Sequence, residues 1–214
     1  MSIATDSLPR KTAWALFIVS AAGISLYSAP PYLTLDPAWS KIPLNGAYVS
    51  HLLWVSVHGV PGAVALLIGP FQFIAGFRSR FPKWHRRMGR VYAVCIVIGS
   101  IAGFVSALMS TSGIPAQIGF VLLALAWLFT MWKGYQAART RRFGDHRLWM
   151  IRNYALTFAA VLLRVFLGLG SIAMAIWPQV TFSDIYLAST WGSILVSAVL
   201  AEWLLVSPSS GRRN

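Results

Sequence analysis

The sequence predicts an all-α integral membrane protein, a six-transmembrane-helix bundle, and three observations carry that prediction. Of 214 residues, 57% are hydrophobic and only 11% are charged, a balance that excludes an ordinary soluble domain. The apolar residues fall into six runs, each near the roughly 20 residues needed to cross a hydrocarbon core. Lys and Arg arrive in bursts between those runs, with Lys41 and Arg164 standing apart. A net charge of +13 would point to nucleic acid in a soluble chain. Clustered this way it is the signature of cytoplasmic loops, and no nucleic-acid partner is expected.

The first helix, about 12–30, follows Arg10 and Lys11. A cleaved signal peptide is the alternative reading, but the run exceeds the usual ~7–15 apolar residues of such a segment. After a polar loop with Asp36 and Lys41, the second helix covers about 48–77. It contains Pro61 and Pro70, which should break the helix and strip the carbonyls of Val57 and Leu66 of their helical partners. In hydrocarbon such groups need another donor. A basic turn from Arg78 to Arg90 leads to a third helix, about 91–109, and a short Ser/Thr/Gly/Pro link to a fourth, about 116–132. A second basic loop, Lys133 to Arg147, precedes a fifth helix, about 146–176, with Asp145 expected as its N-cap. The sixth helix covers about 185–206. The chain, 1–214, thus reads as one membrane domain. Even helix count and basic loops place both termini in the cytoplasm of a cell whose inner, plasma membrane holds the protein.

Residues seven or eleven apart share a helix face. On the fifth helix that stripe holds His146, Asn153, Thr157, Arg164 and Ser171. On the second it holds His51, His58, Ala65 and Gln72, and on the third Tyr92, Gly99, Gly103, Ser106 and Ser110. Arg164 is the most informative. It lies about 12 residues, ~18 Å, from the outer end of its helix, too deep to snorkel out, and an intramembrane arginine marks a functional site by default. Asp184 and Glu202 fall at other depths, so backbone carbonyls or an anionic ligand are its candidate partners. His58, Gln72, Asn153 and Arg164 are accordingly the candidate ligand-binding set.

The histidines invite a second reading. His85 and His146 begin the third and fifth helices on one side, where two imidazoles could hold the iron of a b-type haem, with Arg86 and Arg90 near enough for propionates. The plainer alternative makes both of them interfacial residues touching lipid phosphates. Cys95 stands alone, so neither an intrachain disulfide nor a cysteine cluster is available. No Ser, His and acid arrangement for nucleophilic catalysis is visible.

The strings HGVPGAVALLIGPFQF, WHRRMGRVYAV, GDHRLWMIRNYALTFAAVLLRVF and a closing LAEW resemble the bacterial family of predicted membrane proteins called domain of unknown function 2306. That resemblance implies a multi-pass bundle and points to His58, His85, Arg90, His146, Arg152, Arg164 and Glu202 as pattern positions. It implies no activity. The resemblance further implies an asparagine, usual in the family, a few residues before the last glutamate, where Ser197 stands here. At the level of the bundle the chain also looks similar to cytochromes of the b561 kind. Two functions remain in view: haem and quinone electron transfer through His85 and His146, or transport or binding of a small anionic or lipid-like ligand by the broken second helix and Arg164.

Overall fold

The structure, a computed structural model, describes residues 8–206. Among those residues it is entirely helices and their connections. Helix α1 (Leu8–Ser28) restarts after Ala29 as the single turn α2 (Pro30–Leu33), because prolines are tolerated in a first turn but not in a helix interior. Together they form a span from Lys11 to Leu33, longer than the expected 12–30. A 3₁₀ turn, Pro37–Trp39, follows, with the Asp36 carboxylate accepting from the Ala38 N–H at 2.9 Å.

Helix α3 (His51–Gln72) runs unbroken through both prolines, so the expected break is corrected. Each proline removes one N–H, and one of the stranded carbonyls is repaired from outside: the Tyr154 hydroxyl donates to the Leu66 carbonyl at 2.8 Å. The helix ends before 77, since Ile74 is extended and a short α4 (Ala75–Arg80) starts afresh. Helix α5 (Pro82–Met109) begins well before 91. Its first turns are charged rather than apolar, and Lys and Arg are good helix formers that hydropathy overlooks. Arg86 and Arg90 are therefore exposed helical residues, not loop residues.

Helices α6 (Ile114–Arg139) and α7 (Phe143–Ile176) follow. Asp145 is not the N-cap of α7. Arg142 holds that position, and Asp145 lies in the first turn, where its charge suits the helix dipole and pairs with Arg142 at 3.5 Å. Helix α8 (Phe182–Leu200) opens with a reciprocal capping box between Thr181 and Asp184. A wider π-type turn, Ala201–Val206, extends it.

Helix α7 is the axis of the bundle. It packs against α1, α3, α6 and α8, while α3 lies along α5 and α5 along α6. The helix faces turned inward are rich in small residues: Ala21, Ala65, Ser100, Ala102 and Ala159 are almost fully buried, which lets backbones approach where lipid provides no hydrophobic push. Val94, Ile101, Leu122, Leu169 and Leu195 point outward and are exposed. Six helices are long and apolar enough to cross a membrane. The protein is thus an all-α, multi-pass membrane protein with lipid around its apolar faces.

Candidate functional site

The three polar stripes converge on a cavity of about 220 Å³ enclosed by α1, α2, α3, α5, α6, α7 and α8. Helix α3 contributes His51 and His58, two turns apart on one face. Helix α5 contributes Ser106, helix α7 Thr157 and Arg164, and α8 Tyr186. Most other wall residues are apolar, among them Leu123, Trp127 and Leu163.

His58 is held firmly. Its Nδ1–H donates to the Gly99 carbonyl at 2.8 Å, and its ring meets Trp127 edge-on at 6.1 Å between centroids. The glycines of α5 make this possible: a Cβ at Gly103 would stand 2.6 Å from His58 Nδ1, and one at Gly99 would stand 3.1 Å from the Trp127 ring. The GxxxG face of α5 is therefore filled from within the chain.

Arg164 projects into the same space. One guanidinium N–H donates to the Ala160 carbonyl at 3.0 Å, and Tyr27, Tyr32 and Tyr186 are within electrostatic reach. Among the described residues the ion pairs are Arg142 with Asp145 and Arg152 with Glu202; neither includes Arg164. A cation in a mostly apolar chamber has been given carbonyl and phenol neighbours instead of a carboxylate.

Asn153 shares a stripe with Arg164, but its amide is turned the other way. It accepts from the Tyr92 hydroxyl at 2.7 Å and donates to the Trp127 carbonyl at 2.8 Å and to Thr130 Oγ1 at 2.9 Å. Thr157 Oγ1 closes the network, receiving the Trp127 indole N–H at 2.9 Å. This polar staple joins α5, α6 and α7. Asn153 is completely buried and does not line the cavity.

The sequence profile of the predicted membrane protein family DUF2306 matches residues 55–205, a stretch that takes in most of the cavity and the whole staple. The chain belongs to that family. No curated protein and no solved structure matches it.

The remaining predicted residues of this DUF2306 protein lie away from the cavity. Gln72 packs its amide oxygen over Gly89, 3.5 Å from where a Cβ would stand, with Nε2 buried and unpartnered. His85 and His146 come within electrostatic reach of each other, with Arg78 and Arg86 also near His85. His146 Nδ1–H donates to the Gly134 carbonyl at 2.8 Å, the anchoring typical of a metal-ligating imidazole, which leaves Nε2 available. His85 Nδ1 is buried without a partner. Neither ring lines the cavity. Among the described residues no group of three or more His, Cys, Asp or Glu is placed to hold a bare metal ion.

Arg152 and Glu202 pair through two guanidinium contacts, the second of them 3.1 Å. Arg152 also lies over the Trp149 ring at 4.7 Å. Ser197 is buried, and its hydroxyl donates to the Ile194 carbonyl of its own helix at 3.1 Å.

Among the cavity residues that sequence reasoning missed are Tyr32 and Tyr186, which come from segments without a readable polar stripe. His51 shares the stripe of His58 but is not in the candidate ligand-binding set.

Proposed function

We propose that this protein binds a small amphipathic anion in the cavity between α3 and α7, with Arg164 as its counter-charge, and serves as a carrier for it in the plasma membrane of a bacterium, basic loops and termini facing the cytoplasm. The observation that carries the reading is the setting of Arg164: a guanidinium within the bilayer, in a mostly apolar chamber, whose hydrogen bond goes to a backbone carbonyl and not to a carboxylate. A desolvated cation is costly without a counter-charge. A carboxylate-bearing ligand with an apolar body supplies the charge and fills the walls. His58, fixed through Gly99, lines the same cavity within electrostatic reach of Arg164.

The test is equilibrium binding of labelled octanoate to purified protein in detergent. A charge-assisted hydrogen bond contributes about 1.5–3 kcal/mol, so Arg164→Gln should weaken binding roughly 10- to 100-fold, and Arg164→Lys less. Undiminished binding by Arg164→Gln would remove the reading.

A second reading is a b-type haem held by His85 and His146, with one-electron transfer, to a quinone for example, as its chemistry. It draws on the anchored His146 Nδ1 and the nearness of the two rings. Exposed Arg86 and Arg90 are within the same first turns of α5 for propionates. Expression with haem supplied, followed by a reduced-minus-oxidised spectrum, decides it: a b-type signal lost in His85→Ala and His146→Ala sustains the reading, and a colourless folded protein ends it.

A further inference from the structure

His51 lines the same cavity as Arg164 but belongs to its outer end, at the first turn of α3. It is 1% exposed. The backbone N–H of Asn45 donates to its Nδ1 at 2.9 Å. Nδ1 is thereby occupied as an acceptor, and a neutral imidazole so held carries its proton on Nε2. That Nε2–H is buried and has no hydrogen bond of good geometry; the Ser106 backbone is near enough for a weak one only. A buried donor left unmade forfeits its hydration without return, and in a membrane interior the deficit has no bulk water to relieve it.

His58 has the opposite tautomer. Its Nδ1–H is committed to the Gly99 carbonyl, so the neutral ring presents a lone pair on Nε2. One helix face therefore carries two imidazoles of fixed and opposite polarity, seven residues or ~10 Å apart along the axis. Ser28, near the end of α1, adds a second unpartnered buried polar atom to the cavity at the His51 end.

We infer that the ligand is an amphipathic acid carrying a second, uncharged oxygen acceptor, and that His51 Nε2–H is the donor that reads that oxygen. His58 lies within electrostatic reach of Arg164, so the axial rise from His58 to His51 puts that oxygen about 10 Å from the acid. The acid lies deep, at Arg164; the neutral oxygen lies outward, at His51 and Ser28. Asn45 is a positioning residue, since its N–H fixes which imidazole nitrogen donates. The inference rests on the anion reading above, and it adds a discrimination that Arg164 alone cannot make: between a plain fatty acid and its keto counterpart of equal length. A site built to bond an oxygen rejects an analogue without it, because the buried donor then goes unpaired.

The experiment measures binding of octanoate and 7-oxooctanoate side by side, in wild type, His51→Phe and Arg164→Gln, with the last giving the background of micelle partition. Wild type should prefer the keto acid about tenfold. His51→Phe should lose the preference and bind the two acids equally. Equal affinities in wild type, or a preference that survives His51→Phe, overturn the role of His51 and leave a water molecule as the partner of Nε2, with the anion reading intact. Octanoate binding no stronger than that of Arg164→Gln overturns the anion reading itself. Should His51→Phe fail to fold, nitrogen NMR of histidine-labelled wild type provides the second measurement. The His51 Nε2 signal should be that of a protonated, neutral imidazole and should shift with 7-oxooctanoate but not with octanoate. An unprotonated Nε2, or identical shifts with both acids, refutes the assignment.

Discussion

Replacing Asn153 with leucine keeps its branched heavy-atom connectivity and removes its hydrogen bonds, and the cost can be worked from the staple. Asn153 makes three interhelical bonds, to Tyr92, Trp127 and Thr130. Side-chain bonds between membrane helices average about 0.6 kcal/mol and reach about 1.7 kcal/mol, so the sum is about 2 kcal/mol and at most about 5 kcal/mol. All three partners have other bonds: Tyr92 retains Thr157 at 3.0 Å, Thr130 retains the Ala126 carbonyl at 2.8 Å, and the Trp127 carbonyl retains Thr130 Oγ1 at 3.1 Å. That places the loss at the lower end of the range. Reversible unfolding in mixed micelles, by denaturing-detergent titration, should show Asn153→Leu destabilised by about 2 kcal/mol, three bonds at the average membrane value. The octanoate affinity of the folded fraction should stay within a factor of three. A change under about 0.5 kcal/mol, less than one average bond, or a tenfold loss of binding with stability retained, would refute the staple and return Asn153 to the ligand.

Two further substitutions probe how helices meet. Gly103→Ala drives a methyl to 2.6 Å from His58 Nδ1, so the ring must leave the Gly99 carbonyl; overpacking of this kind costs about 1–3 kcal/mol. Octanoate affinity should fall about tenfold, checked by the same binding assay, and an unchanged affinity would show that His58 plays no part in the site. Tyr154→Phe should cost about 1–2 kcal/mol, because it bares the Leu66 carbonyl. In a Pro70→Ala background the new N–H at position 70 reaches that carbonyl, so the cost should shrink by at least half in a double-mutant cycle of unfolding free energies. Equal costs in both backgrounds would break the link between proline and tyrosine.

Much of this arrangement is visible in the chain itself, for identifiable reasons. Spacing by seven groups His51 with His58 and Thr157 with Arg164, and these four residues do line one cavity. The same rule groups Asn153 and Gln72 with them, and here it runs out. A stripe names a face of one helix, whereas α7 presents that face to α6 at Asn153 and to the cavity at Arg164. Helix ends are legible where composition changes sharply, as at Met109 and Ile176, and illegible where a charged segment stays helical, as from Pro82 to Arg90. The orphaned carbonyl of Leu66 can be foreseen from Pro70, but not its donor: no local pattern announces a tyrosine on another helix 88 residues onward.

That separation bears on how the protein is made. Helix α3 is synthesised long before α7, and it enters the bilayer with a bare carbonyl one turn before Pro70 that its own backbone cannot cover. Until α7 is threaded beside it, α3 is held by a membrane that offers no donor. Close docking is demanding as well, since a Cβ at Gly69 would overlap the Tyr154 ring. The bond that completes α3 is therefore also a checkpoint of biogenesis. A chain truncated after α6 should leave α3 exposed to the quality-control proteases of the membrane, and supplying α7 as a separate peptide should be what rescues it.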